Sequence, residues 1–196
     1  PFLAQNATID YLITGAGTSA CLYRLLKKIQ QKRYDLIIQA GIAGSFDPAL
    51  SLGKTVLVEK DVFADTGAME NQQLLSLFDM GLADKNEWPY RDGWLINDAV
   101  FMKEAGLLKV NAITVNMVTD DKIVCGEWLL KYKPAIESME GAALHYVCLQ
   151  ENINFLQLRS ISNMVGERDK NKWMIQDAVK NLNIELLLLL DKNKNG

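Results

Sequence analysis

The stretch YDLIIQAGIAGSF, residues 34–46, decides how the rest of the chain is read. Tyr34–Gln39 is a mostly apolar run of strand length, and two glycines three apart follow it. A strand apolar on both faces must be covered on both faces, which is how strands sit in an α/β sheet. FLQLRSIS, Phe155–Ser162, has the same character. Working outward, strands are also expected over Thr8–Thr14, Lys54–Phe63, Val110–Val118 and Ala135–Met139. Helices are expected over Ala20–Gln31, Asn71–Met80, Leu95–Ala105, Gly126–Lys133 and Gly141–Glu151, with a long final one from about Asn171. Thr18 or Ser19 is the expected N-cap of the first helix, and Asn86–Asp92 reads as a loop. The alternation predicts one α/β domain over residues 1–196. The chain opens at Pro1 close to a strand-like run, so an N-terminal strand is expected to be missing from it.

Bulk properties narrow the function classes. With 21 basic and 24 acidic residues, a formal charge of −3 leaves no basic footprint for nucleic acid. The longest apolar run, Leu186–Leu190, is far short of a membrane span. Cys21, Cys125 and Cys148 show no CxxC spacing, so a reducing cytoplasmic setting with core cysteines is expected. One histidine and scattered cysteines make no metal site, and neither a metal nor a cofactor is expected. The absence of GxSxG argues against a serine hydrolase.

Ligands in α/β sheets bind at the carboxyl ends of strands. Four stretches fall there: GAGTS (15–19), GIAGS (41–45), SMEG (138–141) and ISNMVG (161–166). Gly15 and Gly17 suit either a tight turn or the approach of an anion. Gly41, Ile42 and Gly44 suit close packing or close ligand approach. Glu140 reads in two ways: a first-turn acid favoured by the dipole of the following helix, or a carboxylate that accepts bonds from a ribose diol with Met139 against the sugar. Asn163 is either a turn residue or a strand-tip ligand. The charged run 167–172 reads as a solvated loop, and His145 as structural.

In this order, the glycine stretch, GIAGSFDPALSLGKTVLVEKDVFADTGAME, SMEGAA and RSISN resemble the nucleoside phosphorylase and nucleosidase superfamily, from about Ile13 to Val179. VNMVTDDK, ESMEGAALHYVCL and RSISNMVGERDKNKW look most like its futalosine-hydrolysing branch, which acts in menaquinone synthesis and releases hypoxanthine. The resemblance implies a three-layer α/β fold with a central mixed, twisted and partly barrel-like sheet flanked by helices. It implies that Met139 and Glu140 bind the ribose and that Asn163 faces the purine N7. It implies a small-molecule nucleoside substrate, no nucleic-acid or membrane partner, and a homo-oligomer.

Adenine-cleaving nucleosidases carry an aspartic acid where Asn163 stands. A carboxamide cannot deliver their proton, but its NH₂ can donate to N7 and a 6-oxo group. Ile42 stands where some phosphorylases have serine, and no arginine stands in or beside either glycine stretch, although Arg24 is one or two turns into the following helix, which favours water over phosphate as acceptor. The water-activating acid of the nucleosidases has no counterpart in this chain. The substrate's benzoate is assigned to Arg168, with Lys172 and Arg91 as alternatives, and its aromatic ring to Trp88, Tyr90 or Phe63. A phosphorylase, a methylthioadenosine-type nucleosidase and a non-catalytic nucleoside binder are the competing readings.

Overall fold

The computed structural model describes residues 9–99, 102 and 105–191. Among the described residues, eight strands and four α-helices follow one another as α1 (Thr18–Ile29), β1 (Leu36–Ser45), β2 (Thr55–Asp61), β3 (Gly67–Glu70), β4 (Gln73–Ser76), β5 (Leu95–Ile96), β6 (Lys109–Thr114), α2 (Lys122–Tyr132), β7 (Ile136–Ser138), α3 (Gly141–Gln150), β8 (Asn154–Met164) and α4 (Ile175–Asp191). Six strands form one sheet in the order β5-β2-β6-β7-β1-β8. Its ends meet: β2 also pairs antiparallel with β8, Val56 opposite Arg159. The sheet is mixed, with β2, β6 and β7 mutually parallel and β1 parallel to β8 but antiparallel to β7.

Closure creates an interior. Ala43, Val56, Val58, Ala112, Ile136 and Ile161, drawn from all five strands of the ring, pack as one cluster that fills it. Outside the ring, Leu57, Leu156 and Leu158 meet Leu182 and Leu189 of α4. Ile113 and Val115 meet Trp128 of α2. Leu25 of α1 packs with Leu144, Val147 and Cys148 of α3 and with Phe155. Seven of the ten residues of α3 are buried, so its sequence, GAALHYVCLQ, has almost no polar face. Together these helices supply the layers that the apolar strands require, and the fold class is the expected one.

Several local expectations give way. Residues 9–14 are not a strand: they run irregularly with Tyr11 and Ile13 almost fully exposed, and among the described residues no strand pairs with them (Thr8 lies outside the described residues). The first helix begins at Thr18 with Gly17 as its N-cap, so Thr18 and Ser19 lie inside it. The expected helix over 71–80 is instead the β3–β4 hairpin, turning at Asn71 and Gln72, both with positive φ. Asparagine tolerates that conformation far better than most residues. Within 95–105, Leu95 and Ile96 add a short strand to β2, and residues 100, 101, 103 and 104 lie outside the described part. α2 starts earlier than expected because Asp121 caps it, accepting from the N–H groups of Ile123 and Val124. α4 starts at Ile175, after a 3₁₀ turn over Lys170–Lys172.

Candidate active site

Two clusters of polar side chains lie along β1. The first centres on Arg159 of β8, opposite Gly41 in the parallel β1–β8 register. Arg159 is 3 % exposed. Nη2 donates to the Gln39 amide oxygen Oε1 at 2.7 Å, while Nη1 reaches Glu140 Oε2 and the Ile42 carbonyl, both at 3.4 Å. Burial pushes Arg159 below its ordinary pKa, and the charge of Glu140 works against that shift. Gly41 makes room for it: a Cβ there would lie 2.3 Å from Nη1.

Glu140 is the N-cap residue of α3, yet its side chain makes no capping bond to that helix. Its Oε1 instead accepts from the Gly17 N–H at 3.0 Å, at the start of α1. Asn116, just after β6, accepts from the next amide, Thr18 N–H, at 3.1 Å. α1 thus has no cap of its own and takes one from two remote side chains. The first-turn reading of Glu140 is therefore replaced: the acid serves another helix and a buried arginine. Met139 precedes it, and its carbonyl accepts from the Thr18 hydroxyl at 3.5 Å.

Behind this cluster, Asp61 is fully buried and accepts from Thr114 Oγ1 (2.9 Å), the Val62 N–H (2.8 Å) and Gln157 Nε2 (3.2 Å). Burial raises its pKa to about 6. Gly141 packs on it, and Thr114 Oγ1 also accepts from the Ala142 N–H at 2.7 Å. His145, fully buried in α3, lies by Leu95 O at 2.9 Å and edge-on to Phe155. Burial lowers its pKa to about 4. It is a core residue.

The second cluster centres on Gly44. A register shift between Ala43 and Gly44 brings Asn163 opposite Gly44, so Asn163 sits within β8 and not in a loop beyond it. Its Oδ1 accepts from Ser162 Oγ (2.8 Å) and its Nδ2 donates to Met164 O (3.0 Å). That network fixes the amide's orientation and leaves one N–H of Nδ2 for another acceptor. Gly41 and Ile42 likewise lie inside β1, not in a loop after it. From Gly41 to Gly44 is three residues, about 10 Å of strand.

The candidate cations separate clearly. Lys172 pairs with Glu167 at 2.6 Å and Arg91 with Asp98 at 2.9 Å. Arg168 is exposed and stands over the Trp173 ring, with no ion pair among the described residues. Trp88 is exposed, whereas Phe63 and Tyr90 both contact Tyr146 in an aromatic group. Sequence reasoning overlooked Arg159, Asp61 and Asn116. It also placed no arginine beside the glycine stretches, whereas Arg159 lies against Gly41 and Arg24 against Gly15. Arg159 was legible only as a charged residue inside an otherwise apolar strand, which is costly without a partner.

The comparisons agree with this architecture. The family description that matches, Phosphorylase superfamily, covers residues 14–191. A futalosine hydrolase of Acidothermus cellulolyticus is 29 % identical over 182 residues, covering 91 % of this chain and 73 % of that protein. One from Thermus thermophilus is 28 % identical over 175 residues, 88 % of this chain and 76 % of that protein. The solved structure of futalosine hydrolase from Helicobacter pylori superposes with a TM-score of 0.76 at 17 % identity, covering 91 % of this chain and 77 % of the other. With the matched region spanning nearly all of the sequence, the chain belongs to the phosphorylase superfamily.

Proposed function

We propose that this protein hydrolyses the N-glycosidic bond of futalosine, releasing hypoxanthine. The observation that carries the reading is the position of Glu140. Its carboxylate is turned away from its own helix, held by Arg159 and the Gly17 N–H, and 18 % exposed, so it retains acceptor capacity for a sugar diol. The family relatives that bear the name futalosine hydrolase support the same substrate.

In this reading the nucleoside lies along β1. Glu140 takes the 2′ and 3′ hydroxyls and Met139 covers the sugar. Asn163 offers its remaining N–H to N7 and O6 of the base. As the C1′–N9 bond lengthens, positive charge grows on the sugar and negative charge on the purine. Groups that meet this charge more strongly in the transition state than in the ground state raise the rate. Water is the acceptor, because Arg159 is already engaged by Glu140 and Gln39 and is not free to hold a phosphate. Arg168 receives the benzoate carboxylate, since Lys172 and Arg91 each already hold an acid.

The test is incubation of the full-length protein with futalosine, inosine, adenosine and methylthioadenosine, with and without phosphate, following free base. Futalosine turnover independent of phosphate is expected. Release of adenine in preference to hypoxanthine, or turnover that requires phosphate, overturns the reading.

A further inference from the structure

Glu137 stands in β7 between Gly44 of β1 and Ile113 of β6. Its side chain is 5 % exposed, and Oε2 has no hydrogen-bond partner among the described residues. A buried polar atom left unpaired costs about 1–3 kcal/mol, and more for a charge. Such a cost is understandable where the partner is a ligand. Gly44 shows what the carboxyl adjoins: a Cβ on that glycine would lie 3.3 Å from Glu137 Cγ and 3.3 Å from Asn163 Nδ2. Carboxyl and carboxamide therefore lean over one bare glycine from the two strands that flank β1.

We propose that Glu137 is the acid that protonates the leaving purine, the one task that the carboxamide of Asn163 has no proton to perform. The proposal rests on the nucleosidase reading above and on Asn163 lying at the base. The step balances simply. The C1′–N9 electron pair passes into the purine, the Glu137 proton moves to N7 while the free N–H of Asn163 stays on O6, and neutral hypoxanthine leaves. Water oxygen bonds to C1′ and its surplus proton goes to solvent, from which Glu137 is reprotonated.

The surroundings suit an acid that holds its proton near neutrality. Burial is the larger influence and raises the Glu137 pKa to about 7, while the charge of Arg168, in the loop after β8, pulls it down. Cys125 of α2 faces the same carboxyl, which raises the thiol's pKa further beyond the effect of burial. Val165, like Ile113, brings an apolar side chain to this side of the sheet.

The experiment is the pH profile of hypoxanthine release from futalosine by the full-length protein and its Glu137→Gln and Glu137→Asp variants. Wild-type kcat is expected to fall as pH rises through about 7. Glu137→Gln should lower kcat by about 100-fold or more with KM changed less than about threefold, and should lose the alkaline fall. Glu137→Asp should retain that fall at a shifted pH. Glu137→Gln keeping kcat within about threefold of wild type, or losing activity with the alkaline fall intact, overturns the proposal. Should Glu137→Gln not fold, an alkaline fall unmoved in Glu137→Asp overturns it instead. A wild-type protein that releases no hypoxanthine from futalosine sinks the functional reading itself, a different result.

Discussion

Replacing Gly141 by alanine tests the packing behind the site with a single methyl group. An added Cβ would lie 2.1 Å from Asp61 Oδ2 and 2.1 Å from Gln157 Nε2. Neither neighbour can swing away: Asp61 is held by Thr114 and Val62 as well as by Gln157, and both side chains are fully buried. Overpacking a well-filled site costs about 1–3 kcal/mol. Parting Asp61 from Gln157 adds about 1–3 kcal/mol for buried groups left unpaired. Alanine recovers up to about 1 kcal/mol of helix propensity. The net is a loss of about 1–6 kcal/mol, and at its centre, about 3 kcal/mol, a fall in Tm of about 6–12 °C for a chain this long. Gly126, inside α2, has nothing within 4 Å of its would-be Cβ. Gly126→Ala should therefore stabilise by about 0.5–1 kcal/mol. Thermal and urea unfolding followed by circular dichroism compares the two. A Gly141→Ala protein that melts at or above wild type refutes the reasoning.

Further outcomes follow from other groups. Glu140→Gln leaves the buried Arg159 without its ion pair, so a loss of about 2–3 kcal/mol is expected in urea unfolding, together with a rise in KM for nucleosides. Asn163→Asp should lower the ratio of hypoxanthine to adenine nucleoside cleavage, because an ionised carboxylate meets O6 acceptor to acceptor; an unchanged ratio removes the base-reading role. His145 is neutral in the fold, with its pKa lowered from 6.5 to about 4. The unfolded chain therefore binds a proton that the folded one refuses as pH falls from 6.5 toward 4, and stability is lost over that window. The stability advantage of wild type over His145→Gln should shrink there by up to about 3 kcal/mol, measured by urea unfolding across pH.

The sheet was legible because its strands are apolar on both faces: of Tyr34–Gln39 all but the first two residues, and the whole of Phe155–Ser162, fall within observed strands. Their continuation through GIAGS and Asn163 was not, since glycine and asparagine speak for turns when only neighbours in sequence are considered. In space Gly41 is required by Arg159 and Gly44 lies between Glu137 and Asn163. The hairpin at 67–76 was misread because Asn71 and Gln72 adopt positive φ inside a stretch that has helical composition. For the site, Met139, Glu140 and Asn163 came from motif order. Glu140's partners Arg159 and Gly17 lie 19 and 123 residues from it, and Asn116, which caps the next amide of α1, lies 24 away, beyond the reach of any local pattern.

The bond from the Gly17 amide to Glu140 makes the carboxylate a shared resource. One oxygen anchors the opening turn of α1 and the other leans on a guanidinium. A sugar that engages the same oxygens must divide them with a backbone amide 123 positions away, so occupancy and the docking of that helix are thermodynamically linked. Ligand arrival would then be felt as altered hydrogen-exchange protection at residues 17 and 18, far along the chain from Glu140.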